Sequence, residues 1–323
     1  MNSPHTTTPT ATTTALSGFD AQGHIGQLWV HPVKSCAGVR VPVARLLPTG
    51  LEGDREWMVV DAEGEFVSQR ELPRMALVQP RLDDTHLYLD APGLPTLALP
   101  RHAPRTASPM TVRVWDDTVP ALDLGDAAAQ WLSLCLGQQP DTPAGLRQLR
   151  LVQFDAARAA KQPRLSSAKW TDGQAVPNQF GDGFPLLVAS QASLDELNAR
   201  LYAQGQAAVD MRRFRPNLVL SGVDAHDEDR LEGLAIDVEA DGSPQRVFVA
   251  LTKPCVRCPI PDVNPDTAER GTAVGDALAA YRRDPRLNGA ITFGMNGFAQ
   301  TSLPAAGVWL REGQAFGGNW RFD

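Results

Sequence analysis

The chain has 323 residues, 43% of them hydrophobic, with a formal net charge of −7 and a pI near 5.4. That length predicts two domains, or one domain with a large companion. The acidic balance argues against a phosphate-backbone partner, so no nucleic acid is expected, and the longest apolar runs fall far short of the ~20 residues a membrane helix needs.

Four cysteines (Cys36, Cys135, Cys255, Cys258) are too few and too scattered for a disulfide scaffold, which fits a reducing compartment. Residues 1–22 are rich in Thr and Pro and have neither the basic nor the apolar region of a secretory signal. They predict a disordered tail, and with it a cytoplasmic location.

Order is expected from about His24. "IGQLWVHPV" and "VRVPVARLL" are β-branched runs bounded by Pro and Gly, and "EWMVVDAEGEFVSQR" reads as two strands around a turn at Ala62 to Glu65. "HLYLDA", "TLALP" and "MTVRVWDDTVPALDLG" continue the rhythm of short strands. "DAAAQWLSLCLG" then predicts a helix capped by Asp126 and stopped by Gly137, with Cys135 as a buried apolar residue.

The stretch 138–180 is rich in Gln, Pro and Ala and has little periodicity, so it reads as a linker or irregular segment. "SQASLDELNARLYAQG" predicts the best helix, with a capping box from Ser193 to Glu196 and Leu194, Leu197 and Leu201 on one face. "PNLVLSG", "LAIDVE", "RVFVALT", "GAITFGMNG" and "GVWLREGQAF" predict strands, and "GDALAAYRR" a short helix. The expected division is a tail over 1–22, a first domain over 23–145, a linker or irregular segment over 146–180, and a second domain over 181–318.

"KPCVRCPIPDVNPDTAE" places Cys255 and Cys258 three residues apart among prolines. Structural zinc would need about four N or S ligands, and the six histidines show no ligand spacing. A thioredoxin-type dithiol would need a helix to follow, which Pro259 and Pro261 oppose, and an iron–sulfur cluster needs about four thiolates. A third use asks for one thiolate on a soft metal whose other ligands arrive with an organic cofactor, and Arg257 would favour the thiolate. Two small residues packed in a buried turn remain the plain alternative.

Together with "VHPVKSCAG", "GLEGDREWMVVD", "SQASLDELNARL" and "FRPNLVLSG", this motif resembles the MOSC-domain proteins. Within them it is most similar to the branch with an N-terminal β-barrel-like region, the mitochondrial amidoxime-reducing component family and its bacterial YcbX-like relatives. The resemblance implies an α+β, β-rich fold with an N-terminal β-barrel-like domain, a C-terminal MOSC β-barrel domain and a cofactor cleft between them. It also implies the molybdenum cofactor, molybdenum on molybdopterin, with Cys258 as metal ligand and catalytic centre and Cys255 supporting it. Lys34, Ser35, Arg55, Asp182, Gly183, Phe184 and Arg215 match family positions at the cofactor, whose phosphate calls for Lys or Arg, and Arg257, beside the thiols, is assigned to the same cofactor site. Arg70, Arg74 and Asn296 are weaker matches.

The implied chemistry is two-electron reduction of N-hydroxylated small molecules (amidoximes, hydroxylamines, N-hydroxylated bases), with the oxygen leaving as water. It calls for a separate electron-transfer protein, ferredoxin-like, flavin or cytochrome. The alternative is a molybdenum-cofactor or sulfur (persulfide) carrier without reductase activity.

Overall fold

The computed structural model describes residue 16 and residues 18–140, 142–300 and 302–322. Most of the expected tail lies outside the described residues. The first strand already begins at Ala21.

Seven strands close into a barrel. The ring runs Leu186–Ser190, Leu218–Ser221, Ala21–Val30, Ala315–Gly318, Gly233–Ala240, Ser243–Val256, Ala290–Ala299 and back to Leu186–Ser190. Every pairing is antiparallel except that of Leu186–Ser190 with Leu218–Ser221. A parallel pair needs a crossover, and the helix Gln191–Ala203 supplies it. The barrel interior is filled by Ile25, Leu28, Leu46, Leu218, Leu220, Ile236, Val249, Met295 and Phe316, all fully buried or nearly so. A strand from the chain's beginning therefore completes a barrel otherwise built from its second half.

The rest of the first half forms smaller sheets. Trp57–Val60, Arg150–Phe154, Asp117–Asp123 and Ser108–Val114 make one of four strands, and Gln79–Leu82, His86–Asp90 and Leu97–Pro100 another of three. Period-two alternation explains why Trp57–Val60 is buried throughout. Trp57 and Val59 face one core with Met75, Leu87 and Leu151, while Met58 and Val60 face a second with Val112, Val119 and Phe180. Fully burying each such apolar side chain contributes about 1.5–3 kcal/mol.

Several local expectations change. Residues 150–154, expected to be irregular, form a strand between Trp57–Val60 and Asp117–Asp123, because Leu151 and Val152 complete two cores at once. Of the two strands expected around Ala62 to Glu65, only Trp57–Val60 is regular, and Phe66 contributes a single bridge to Val60. The first helix is Asp126–Leu132, with Gly125 at the cap position, and Ser133–Gly137 widens into a π-type turn. The long helix is capped one turn earlier than the expected box: the Ser190 hydroxyl accepts from the Ser193 amide at 3.1 Å.

The cysteine segment is also more regular than its prolines suggest. The strand Ser243–Val256 runs through Pro254 and Cys255, with register shifts between Leu251 and Lys253 and between Pro254 and Val256. Proline cannot donate to a ladder but is tolerated at such bulges.

Candidate functional site

Where the two sheet systems meet, residues from both line a cleft of about 280 Å³. The segment after Val30 builds its floor. The Lys34 amide donates to the Trp57 carbonyl (2.8 Å), the Arg55 amide to His31 (2.8 Å) and the Trp57 amide to Pro32 (3.1 Å), which pins this crossing chain to the first-half sheet.

On that floor the cations are buried or half-buried and held. Lys34 is 5% exposed, and its ammonium donates to the Phe180 carbonyl (2.9 Å) and to Asp182 Oδ1 (2.5 Å). An ammonium has three N–H groups, so one remains for a ligand. Burial lowers the Lys34 pKa against the opposing pull of Asp182. Arg55 donates to Asp54 (2.5 Å), Asn217 Oδ1 (3.0 Å) and the Arg215 carbonyl (2.9 Å). Arg215 in turn donates to the Cys36 carbonyl, and burial together with the Arg55 charge pushes its pKa down to about 10. Asp182 faces the open cleft. Desolvation by its surroundings would raise its carboxyl, yet the charge and hydrogen bond of Lys34, with a bond from the Trp115 indole, hold it well below the usual carboxylate range.

The opposite edge carries the thiols. Cys258 is exposed, two residues past the strand end at Val256, and Cys255 is half-buried. Arg257 donates to the Cys255 sulfur (3.1 Å) and the Phe214 carbonyl (3.0 Å), while its buried Nε has no partner. The charge-assisted bond thus goes to Cys255 and leaves the Cys258 sulfur free of it.

Lys34, Ser35, Arg55, Asp182, Gly183, Phe184, Arg215, Cys255, Arg257 and Cys258 all line this one cleft, as do Arg70 and Asn296. Arg74 is not among the lining residues, and its Nε is buried without a partner. At Gly183 an added Cβ would meet nothing within 4 Å, so close packing does not demand glycine there. Sequence reasoning passed over Lys253, Asn217, Phe66, Ser68 and Trp115. Lys253 stood at the head of the cysteine motif, whereas Trp115, half-exposed at a hairpin turn, carried no signal in the sequence.

Two further features set the cleft apart. Four of the nine non-glycine residues with left-handed backbone among the described residues (Ser35, Arg55, Trp115, Arg215) line it, and such strain persists only where the surroundings over-determine it. Six cationic side chains (Lys34, Arg55, Arg70, Arg215, Lys253, Arg257) face a single carboxylate, Asp182, in a chain of net charge −7. Focused positive potential of this kind selects an anionic ligand.

Comparison with known proteins agrees with this architecture. Residues 22–139 match the MOSC N-terminal beta barrel domain and residues 176–307 the MOSC domain. The chain is 35% identical to human mitochondrial amidoxime-reducing component 1 over 270 residues, 81% of this chain and 73% of that protein. It is 34% identical to rat mitochondrial amidoxime reducing component 2 over 250 residues, 76% and 68% of the two chains, and 32% identical to human component 2 over 266 residues, 80% and 72%. The chain belongs to the MOSC-domain family, with both the MOSC N-terminal beta barrel domain and the MOSC domain, and is similar within it to the mitochondrial amidoxime-reducing components.

Proposed function

We propose that the protein is a molybdenum-cofactor-dependent reductase of N-hydroxylated compounds, working in the cytoplasm with a separate electron-transfer protein. The observation that carries this reading is the pairing in one cleft of an exposed cysteine sulfur with six cations. A pterin that bears both a soft metal and a terminal phosphate presents the two complementary chemistries.

The residues present fit such a group. Cys258 offers an unshared sulfur, Lys34 an unused N–H, Arg215 the rest of a guanidinium fork, and Arg257 a buried unpartnered Nε. Lys34, Arg55 and Arg215 would hold the anionic end, with Ser35 and the Asp182–Phe184 turn beside them, and Cys258 the metal end. Arg257 fixes Cys255 and the strand end behind it, so that the neighbouring thiol is positioned and not competing. When bound, the group supplies the two-electron chemistry. The balance is R–NHOH + 2e⁻ + 2H⁺ → R–NH2 + H2O. Asp182 is held ionised, so it accepts hydrogen bonds and both protons come from solvent.

A sulfur carrier would use the two thiols and leave the cationic floor without a purpose. Supplying purified protein with reduced methyl viologen and benzamidoxime decides between the two. The reductase reading expects one benzamidine for every two viologen radicals oxidised, and cofactor-loaded protein that forms none would defeat it.

A further inference from the structure

Lysine is scarce in this chain, four of thirty cationic side chains, and its placement is uneven. Lys34 and Lys253 line the cleft, and Lys161 and Lys169 lie on the irregular stretch beside it. That stretch is tied to the cleft wall. Lys169 Nζ stands 5.3 Å and Lys253 Nζ 5.8 Å from the centroid of the same Trp170 ring. Arg164 donates to the carbonyls of Gln179 (3.0 Å), Gly181 (2.5 Å) and Asp182 (2.9 Å), three residues of the loop that carries Asp182 into the site.

From Ala156 to Thr171 the sequence has Arg158, Lys161, Arg164 and Lys169 and no Asp or Glu, with Asp155 and Asp172 just outside. Arg158 faces Asp155 (3.9 Å) and Arg164 faces Asp117 (2.7 Å). Lys161 and Lys169 are exposed and have no carboxylate partner among the described residues, and Leu165 between them is 47% exposed. Of the exposed arginines elsewhere, Arg40, Arg81 and Arg246 are matched by Glu312, Asp90 and Asp237, whereas Arg283 and Arg311 have no carboxylate partner among the described residues.

We propose that the ridge Lys161–Leu165–Lys169 is the docking face for a small acidic electron-transfer protein. This rests on the reductase reading and names how its electrons arrive. Each turnover oxidises two one-electron carriers, and their electrons, with two protons, cleave the N–O bond to give amine and water. An acidic carrier is repelled by a chain of net charge −7 except where a local positive face outweighs it, and this face adjoins the cleft. Transient electron-transfer contacts are small and depend on charge steering, which suits two unpaired lysines around one apolar side chain.

The test uses the full cofactor-loaded chain, the double variant Lys161→Glu/Lys169→Glu, and Arg283→Glu/Arg311→Glu as a control with the same change in net charge. Affinity for an acidic [2Fe–2S] ferredoxin and an acidic flavodoxin is titrated at low ionic strength, and turnover is driven separately by reduced methyl viologen. The ridge variant should bind the preferred carrier at least about tenfold more weakly while the control does not, with viologen-driven turnover unchanged in both. Equal loss in ridge and control variants, or no binding of either carrier to the wild type, overturns the docking face. Should the wild type lack viologen-driven turnover, the reductase reading falls, and the binding titrations still decide whether the ridge docks an acidic carrier.

Discussion

The two walls of the cleft are built by opposite rules. On the floor, Lys34, Arg55 and Arg215 are pinned by main-chain carbonyls, by Asp54 and by each other, and the backbone at Ser35, Arg55 and Arg215 is left-handed. At the far edge a strand simply ends, and Cys258 stands in the open. The difference separates holding from reacting: an anchor benefits from pre-organised charge, whereas a metal ligand needs an accessible, uncommitted sulfur.

Breaking the edge should have the largest effect on activity and the least on folding. Cys258→Ser is expected to reduce turnover to background, at least about a hundredfold, while the exposed site keeps unfolding free energy within about 0.5 kcal/mol of wild type in denaturant titrations. Breaking the floor should do the reverse in emphasis. Arg55→Ala leaves buried Asp54 without its guanidinium partner and should cost about 3 kcal/mol of stability, read from the same titrations.

The thiols sharpen the comparison. Burial pushes the Cys36 thiol up to about 12 and raises that of Cys135, whereas Cys258 is exposed and Cys255 half-buried. Brief iodoacetamide treatment of the native apoprotein at neutral pH should modify Cys258 first and spare Cys36 and Cys135, as peptide mass spectrometry would show. Labelling of Cys36 at the rate of Cys258 would contradict the burial described.

The smallest effect belongs to the Lys34–Asp182 pair, because one partner is largely open to solvent. Asp182→Asn should change stability by less than about 1 kcal/mol. The folded-state pKa of Asp182 lies below its unfolded value, so the folded protein binds fewer protons in that range. The pair's contribution is present above the ordinary carboxylate range and is lost as the pH falls through it. The acid limbs of wild-type and Asp182→Asn stability curves should therefore converge.

Much of this site was legible because its chemistry is carried by short motifs. "HPVKSC", "GDREW", "FRPN" and "KPCVRC" each placed a charge or a sulfur that the fold brings to one cleft. What escaped was what tertiary packing decides. Arg150–Phe154 looked irregular because its burial on two faces erases alternation, and Ala21–Val30 gave no sign that it completes a barrel built mostly from the other end of the chain. The bulged passage of a strand through Pro254 was hidden behind a residue that ordinarily argues against one. Trp115 and Phe66 reach the cleft through a hairpin and an isolated bridge, with no periodic signal.

The most direct measurement is the molybdenum content per chain of the purified wild type and of Cys258→Ser, expressed side by side in cells that make the cofactor. Near-stoichiometric metal is expected in the wild type and almost none in the variant. Equal metal in both, or none in either, would contradict Cys258 as the metal ligand.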